Sequence, residues 1–177
     1  MHILDIAENS IRAEAQNIEI SIEKDRKNNL LSLEITDDGK GMTEDTMNAA
    51  LNPFFTTKKT RKFGLGLSLL AEAARSAEGS FVINSKAGQG TNIKATFKAD
   101  HIDTKPLGDI SQTLATLIMG HPDIDILFSA KFDRSEFTFD TKEIKRQLDG
   151  ISINSPEVIN ILKTKINEEL NLIRREK

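Results

Sequence analysis

Along the first hundred residues the spacing of apolar positions switches repeatedly between a helical and a strand-like period. Ile3, Leu4, Ala7, Ile11 and Ala15 recur every three to four residues and predict an amphipathic helix over residues 3–16. The spacing then drops to two. Ile18, Ile20 and Ile22 alternate with Glu19, Ser21 and Glu23, the pattern of a half-buried strand. Polar residues Lys24–Asn29 read as a turn and Leu30–Thr36 as a second strand, so the pair predicts a hairpin. Thr43 ahead of Glu44 and Asp45 is suited to cap a short helix, which Pro53 should end. Residues 54–63 have no clean period and hold Lys58, Lys59, Arg61 and Lys62, the mark of a mobile loop. Gly66–Ala77, rich in Leu and Ala, predicts a helix terminated at Gly79. Phe81–Ser85 and Asn92–Lys98 read as strands around a turn at Gly88–Gly90.

Past Asp100 the pattern changes. Pro106 and Gly108 punctuate the chain, Ile110–Met119 reads as a helix, and Gly120–Pro122 breaks it. Ile124–Phe132 and Glu136–Asp140 predict a hairpin turning at Asp133–Ser135. Helices are expected over Thr141–Leu148 and Pro156–Arg175, the last with Val158, Leu162, Ile166, Leu170 and Ile173 on one face. The expected class is α+β. Residues 1–99 should form a two-layer sandwich, a mixed and mainly antiparallel sheet with helices on one face, and residues 100–177 an αββαα extension.

Composition narrows the function more than the fold. The chain has 177 residues, 38% hydrophobic and 29% charged, ordinary for a globular protein with a substantial core. A net charge of -3, spread evenly over both halves, disfavours a nucleic-acid binder that works by broad electrostatics. With no cysteine, disulfides, thiolate metal sites and thiol nucleophiles are excluded. Neither a membrane-spanning run nor a signal-peptide pattern is present, and a cytoplasmic protein is expected.

Four short segments carry candidate chemistry. Asp5 and Asn9 stand four residues apart, on one helix face, where a carboxylate can activate water and an amide oxygen can hold magnesium. Asp37-Asp38-Gly39-Lys40-Gly41-Met42 closes the second strand, and its glycines permit φ > 0 and close backbone approach. Gly64-Leu65-Gly66-Leu67 opens a helix whose N–H groups can receive phosphate. Gly88-Gln89-Gly90-Thr91 opens a strand. Each segment alone also fits a plain structural part: a polar helix stripe, an Asp–Gly turn, a helix start, a β-turn.

In this order the four segments resemble the nucleotide site of the GHKL superfamily (gyrase, Hsp90, histidine kinase, MutL), whose fold is the Bergerat fold. The resemblance covers residues 1–99. It implies ATP as ligand, Asn9 as the Mg²⁺ ligand and Asp5 as general base, where the family more often has Glu. It implies Asp37 as the reader of the adenine amine, with Gly39, Gly41 and Met42 beside the base. It implies Gly64, Leu65, Gly66 and Leu67 at the phosphates, and a Thr91 hydroxyl supporting Asp37. Asn52-Pro53-Phe54-Phe55-Thr56-Thr57-Lys58 resembles the lid of histidine-kinase-type members, with Lys58 a phosphate contact. Asp5 to Ile11 is also similar to the corresponding helix of MutL.

The whole chain looks like short stand-alone ATPase proteins that lack a phosphoacceptor domain, since only two residues precede Ile3. The resemblance therefore implies an ATP-dependent regulatory kinase acting on a protein in trans, or a slow ATPase. A nucleotide-gated protein-binding switch is the alternative, and a MutL-like DNA-associated ATPase a more distant one. Residues 101–177 resemble no assignable domain and are the expected partner-specific element, or else simply complete the fold.

Overall fold

The isoleucines at 18, 20 and 22 are the seam along which the sheet is assembled. The computed structural model describes residues 2–51, 66–101 and 108–175. In chain order the elements are α1 (His2–Arg12), β1 (Asn17–Asp25), β2 (Leu30–Asp37), α2 (Glu44–Leu51), α3 (Gly66–Ser76), β3 (Phe81–Ser85), β4 (Thr91–Lys98), α4 (Ile110–Gly120), β5 (Asp125–Phe132), β6 (Ser135–Asp140), α5 (Thr141–Gln147) and α6 (Pro156–Arg175). The six strands form one sheet in the order β3-β4-β2-β1-β5-β6. Every pairing is antiparallel except β1 with β5, which is parallel. The class is α+β, a mixed sheet consistent with the Bergerat fold.

The registers line up inward-facing residues in rows that cross the whole sheet. One row runs Ile83, Ile93, Ile35, Ile20, Phe128, Phe139. The next runs Phe81, Ala95, Leu33, Ile22, Ala130, Phe137. Most of these side chains are buried, and Ile20, Ile22, Ile35 and Phe128 are almost fully so. Directly opposed apolar pairs of this kind are the unit of sheet stability. Helices α1, α3, α4 and α6 cover this face and share one apolar cluster with it. The opposite face carries Glu23, Glu34, Lys94 and Lys131, joined as Lys94–Glu34 (3.2 Å) and Lys131–Glu23 (3.0 Å) ion pairs.

Residues past 108 are built into this sheet. The expected αββαα order is present, and β5 takes the β1 edge that would otherwise be unpaired. Asp109 caps α4 by accepting from the Gln112 N–H at 2.9 Å, and Asp140 caps α5. Helix α6 buries Val158, Leu162, Ile166, Leu170 and Ile173, the stripe its spacing predicts.

Two helix ends differ from expectation. The first helix stops at Arg12 because Glu14 takes the left-handed conformation (φ 63°). There the N–H of Ala15 reaches back to the Ser10 carbonyl (3.1 Å) and that of Glu14 to Ile11 (2.9 Å), closing a Schellman turn without glycine. Helix α3 ends the same way at Glu78 (φ 50°), and Gly79 serves another need. A Cβ on Gly79 would lie 1.8 Å from the Thr96 carbonyl of β4.

Shared rows imply shared cooperativity. Phe128→Ala should cost about 3–5 kcal/mol in urea unfolding, as for other buried aromatic truncations. Amide protection in β1 and β2 should fall together with that in β5. Loss confined to β5 and β6 would mean that the C-terminal strands open on their own.

Candidate functional site

At one end of the sheet the inward rows turn polar. The register that pairs Ile20 with Ile35 sets Asp37 opposite Thr91, and Thr91 opposite Ser85. Asp37 and Thr91 are both buried, 7% and 8% exposed, at the floor of a cavity of about 590 Å³ between α1, the 37–42 segment and α3. That volume lies in the range of small-molecule sites. Ile6, Leu67, Met42 and Ile93 give it apolar walls.

Asp37 is held from two sides. The Ser10 hydroxyl donates to one carboxylate oxygen at 2.6 Å, and the Gly39 N–H donates to the other at 3.0 Å. A carboxylate accepts about four hydrogen bonds. Two positions are therefore filled by the protein, leaving acceptor capacity toward the cavity that Asp37 lines. Gly41 has φ 62°, and a Cβ there would fall 2.0 Å from the Lys86 carbonyl. The 39–41 segment thus lies directly against the 86–90 turn, a contact sealed by the Gly88 N–H on the Lys40 carbonyl at 2.7 Å.

Among the described residues no direct hydrogen bond joins Thr91 to Asp37. The Thr91 hydroxyl is 2.9 Å from the Ser85 hydroxyl, which donates to the Gly90 carbonyl (3.0 Å) and accepts the Met42 N–H (2.8 Å). With the single Ser85 proton given to Gly90, Thr91 is the donor to Ser85. Thr91 therefore braces the segment that carries Met42, and Ser10 braces Asp37.

On α1, Asn9 lines the cavity. Its amide oxygen accepts from the Arg12 guanidinium at 2.5 Å, while its buried amide nitrogen has no partner among the described residues. Asp5, one turn earlier, is exposed and abuts the first residue of α3: a Cβ on Gly66 would sit 2.7 Å from that of Asp5. The neighbouring Glu8 faces away, with its carboxylate 3.5 Å from the His121 ring at the end of α4. Lys40 and Glu14, both on the cavity lining, form an ion pair with each other.

Asp38 ties the two loops at this end together. Its carboxylate accepts the N–H groups of Gln16 (2.8 Å) and Asn17 (2.9 Å) and the Asn17 side-chain amide (2.7 Å). Burial acts to raise its pKa, but these hydrogen bonds together outweigh burial and hold it below the ordinary carboxylate value.

Of the residues singled out by sequence, Asn9, Asp37, Gly41, Met42, Leu67 and Thr91 line the cavity. Gly39 is buried beneath Asp37, and Gly66 meets Asp5. Lys58, Gly64 and Leu65, with the expected mobile loop, lie outside the described residues. The sequence reading missed Ser10 and Arg12 as cavity residues. The signal for Arg12 was present, since it stands three residues after Asn9 and so on the same helix face, whereas Ser10, one residue on, carries no such signal.

The profile of the family described as histidine kinase-, DNA gyrase B- and HSP90-like ATPase matches residues 2–101. The chain belongs to this family. Residues 2–101 of this ATPase-family chain are thus a histidine kinase-like, ATP-binding domain. Similar proteins include the sensor histidine kinase YvrG of Bacillus subtilis, 31% identical over 94 residues, 51% of this chain and 16% of the relative. A putative sensor protein of Shewanella frigidimarina is 38% identical over 71 residues, 40% of this chain and 11% of its own. Sensor histidine kinase ZraS of Escherichia coli is 30% identical over 91 residues, 51% and 19% of the two chains. The ATPase-family chain therefore matches less than a fifth of the length of these relatives.

Among the described residues no three His, Asp or Glu side chains gather as a metal cage. The Asn9 amide oxygen is a hard donor on the wall, the kind of lone protein ligand magnesium takes beside phosphates. Among the described residues no helix is long and apolar enough to cross a membrane.

Two outcomes follow. Ser10→Ala leaves buried Asp37 short of one donor and should destabilise the fold by about 1–3 kcal/mol in urea unfolding, without loss of secondary structure. The Asp38 carboxyl titrates lower folded than unfolded, so its stabilisation is complete above the unfolded value of about 3.9 and is lost as pH falls through the folded one. Asp38→Asn should therefore show a shallower fall in stability below about pH 4 than the wild type.

Proposed function

We propose that the chain binds Mg-ATP in the cavity over Asp37 and acts as a regulatory kinase on a protein in trans, or as a slow ATPase. The observation that carries this is the buried Asp37 carboxylate, fixed by Ser10 and Gly39 with acceptor capacity left facing the cavity. Asp37 then accepts the exocyclic amine of adenine, and Gly41 and Met42 flank the base. Asn9 offers its amide oxygen to Mg²⁺, which when bound would neutralise phosphate charge. The start of α3, with Gly66 and Leu67, faces the phosphate end, and Lys58, Gly64 and Leu65 are proposed to act there with it. Asp5 is the proposed base. The kinase reading is supported by the relatives YvrG and ZraS, which are sensor histidine kinases.

A second reading, a nucleotide-gated switch with little turnover, is favoured by the position of Asp5. It stands against Gly66 and is not among the cavity-lining residues, while Asn9 is. In both readings residues 100–177 form the partner-specific extension. Support for this comes from α4, whose end meets Glu8 on the helix that carries Asn9.

Calorimetry with Mg-ATP tests the site. Wild type should bind, and Asp37→Asn should weaken binding by roughly thirtyfold, about 2 kcal/mol, the worth of a hydrogen bond to a charged group. Asn9→Ala should lose the gain from magnesium. No binding by wild type at millimolar nucleotide would overturn the reading. Radiolabelled ATP then separates the two forms: label reaching a protein marks a kinase, and bound, unturned ATP marks a switch.

A further inference from the structure

We infer that Arg12 is an internal stand-in for the divalent cation: its guanidinium holds the Asn9 amide oxygen, and guanidinium and metal compete for that one atom. The inference rests on the Mg-ATP reading of the cavity.

Three observations carry it. The Arg12 Nη2 donates to the Asn9 Oδ1 at 2.5 Å, a short, charge-assisted contact. The Asn9 Nδ2 is buried without a partner among the described residues. This fixes which way the amide faces, because turning it over would set an NH₂ against a guanidinium that has donors and no acceptor. Both residues line the same cavity, so the contact lies inside the site.

The chemistry of Asn9 is then that of a half-made site. Its oxygen already has a cation, and its nitrogen awaits an acceptor, the condition expected of a side chain completed by an anionic ligand and its counter-ion. Arg12 sits in the last turn of α1 on a long side chain that reaches solvent, so it can swing off Asn9 without disturbing the helix. When the metal takes the Asn9 oxygen, Arg12 yields it. When metal is scarce, Arg12 keeps a positive charge on the cavity lining, where an anionic ligand in the cavity can meet it. Nucleotide affinity in this chain should accordingly depend only weakly on magnesium, and Arg12 should set how weakly. Arg12 is a positioning residue here, acting through Asn9.

The test is calorimetry of the full chain with a non-hydrolysable ATP analogue, once in excess EDTA and once in millimolar Mg²⁺, for wild type, Arg12→Ala and Arg12→Lys. The readout is the ratio of the two affinities. Arg12→Ala should lose about tenfold in EDTA and stay near wild type in Mg²⁺, raising the ratio about tenfold. Arg12→Lys, which keeps the charge, should return the ratio toward wild type. Matched melting curves establish that the variants fold. Equal weakening of Arg12→Ala in both conditions, or an unchanged ratio, overturns the inference and leaves the nucleotide site standing. A wild type silent in both conditions overturns the nucleotide reading and this inference with it.

Discussion

A single register held across six strands is the constraint on which the rest of the molecule depends. Because side chains alternate faces with a period of two, fixing Ile20 opposite Ile35 and Phe128 also fixes what stands opposite Asp37. A slip of one residue in β2 would turn Leu31, Leu33 and Ile35 outward and carry Asp37 off the cavity floor. The apolar rows and the polar row above them are one object. The cavity end is the place where the inward positions of β2, β4 and β3 change from Ile35, Ile93 and Ile83 to Asp37, Thr91 and Ser85.

Much of this was legible in the chain because it is local. Two-residue alternation in β1 and β2, the stripe on α6 and the Asp–Gly segment each show within ten or twenty residues. Helix ends were less legible. Glu14 and Glu78 take a conformation that usually calls for glycine, and what secures them is a carbonyl one turn back, that of Ile11 for Glu14 and of Arg75 for Glu78. The joining of β5 to β1 was invisible for a different reason. It pairs Ile18 with Ile126, over a hundred positions away, and nothing in either segment names the other.

The site shows the same division. Asn9, Asp37, Gly41, Met42, Leu67 and Thr91 were found by motif and meet at one cavity. How they are braced was not readable, because a hydroxyl takes whichever partner the fold brings near. Ser10 reaches Asp37 across 27 positions, whereas Thr91, directly opposite on the ladder, spends its proton on Ser85. Motif spacing gives the residue types a site requires, and tertiary packing decides which of them touch.

The parallel pairing of β5 with β1 also orders events in time. A ribosome making this chain releases α1, β1 and β2 early, and with them Asn9 and Asp37. Until residues 125–132 emerge, β1 is an open edge of alternating isoleucines, the kind of surface that recruits other strands. The cavity wall formed by α1 rests on a sheet that is still incomplete at that stage. A nascent chain stalled near residue 110 would thus carry every motif of the candidate site on a scaffold prone to stick to its neighbours.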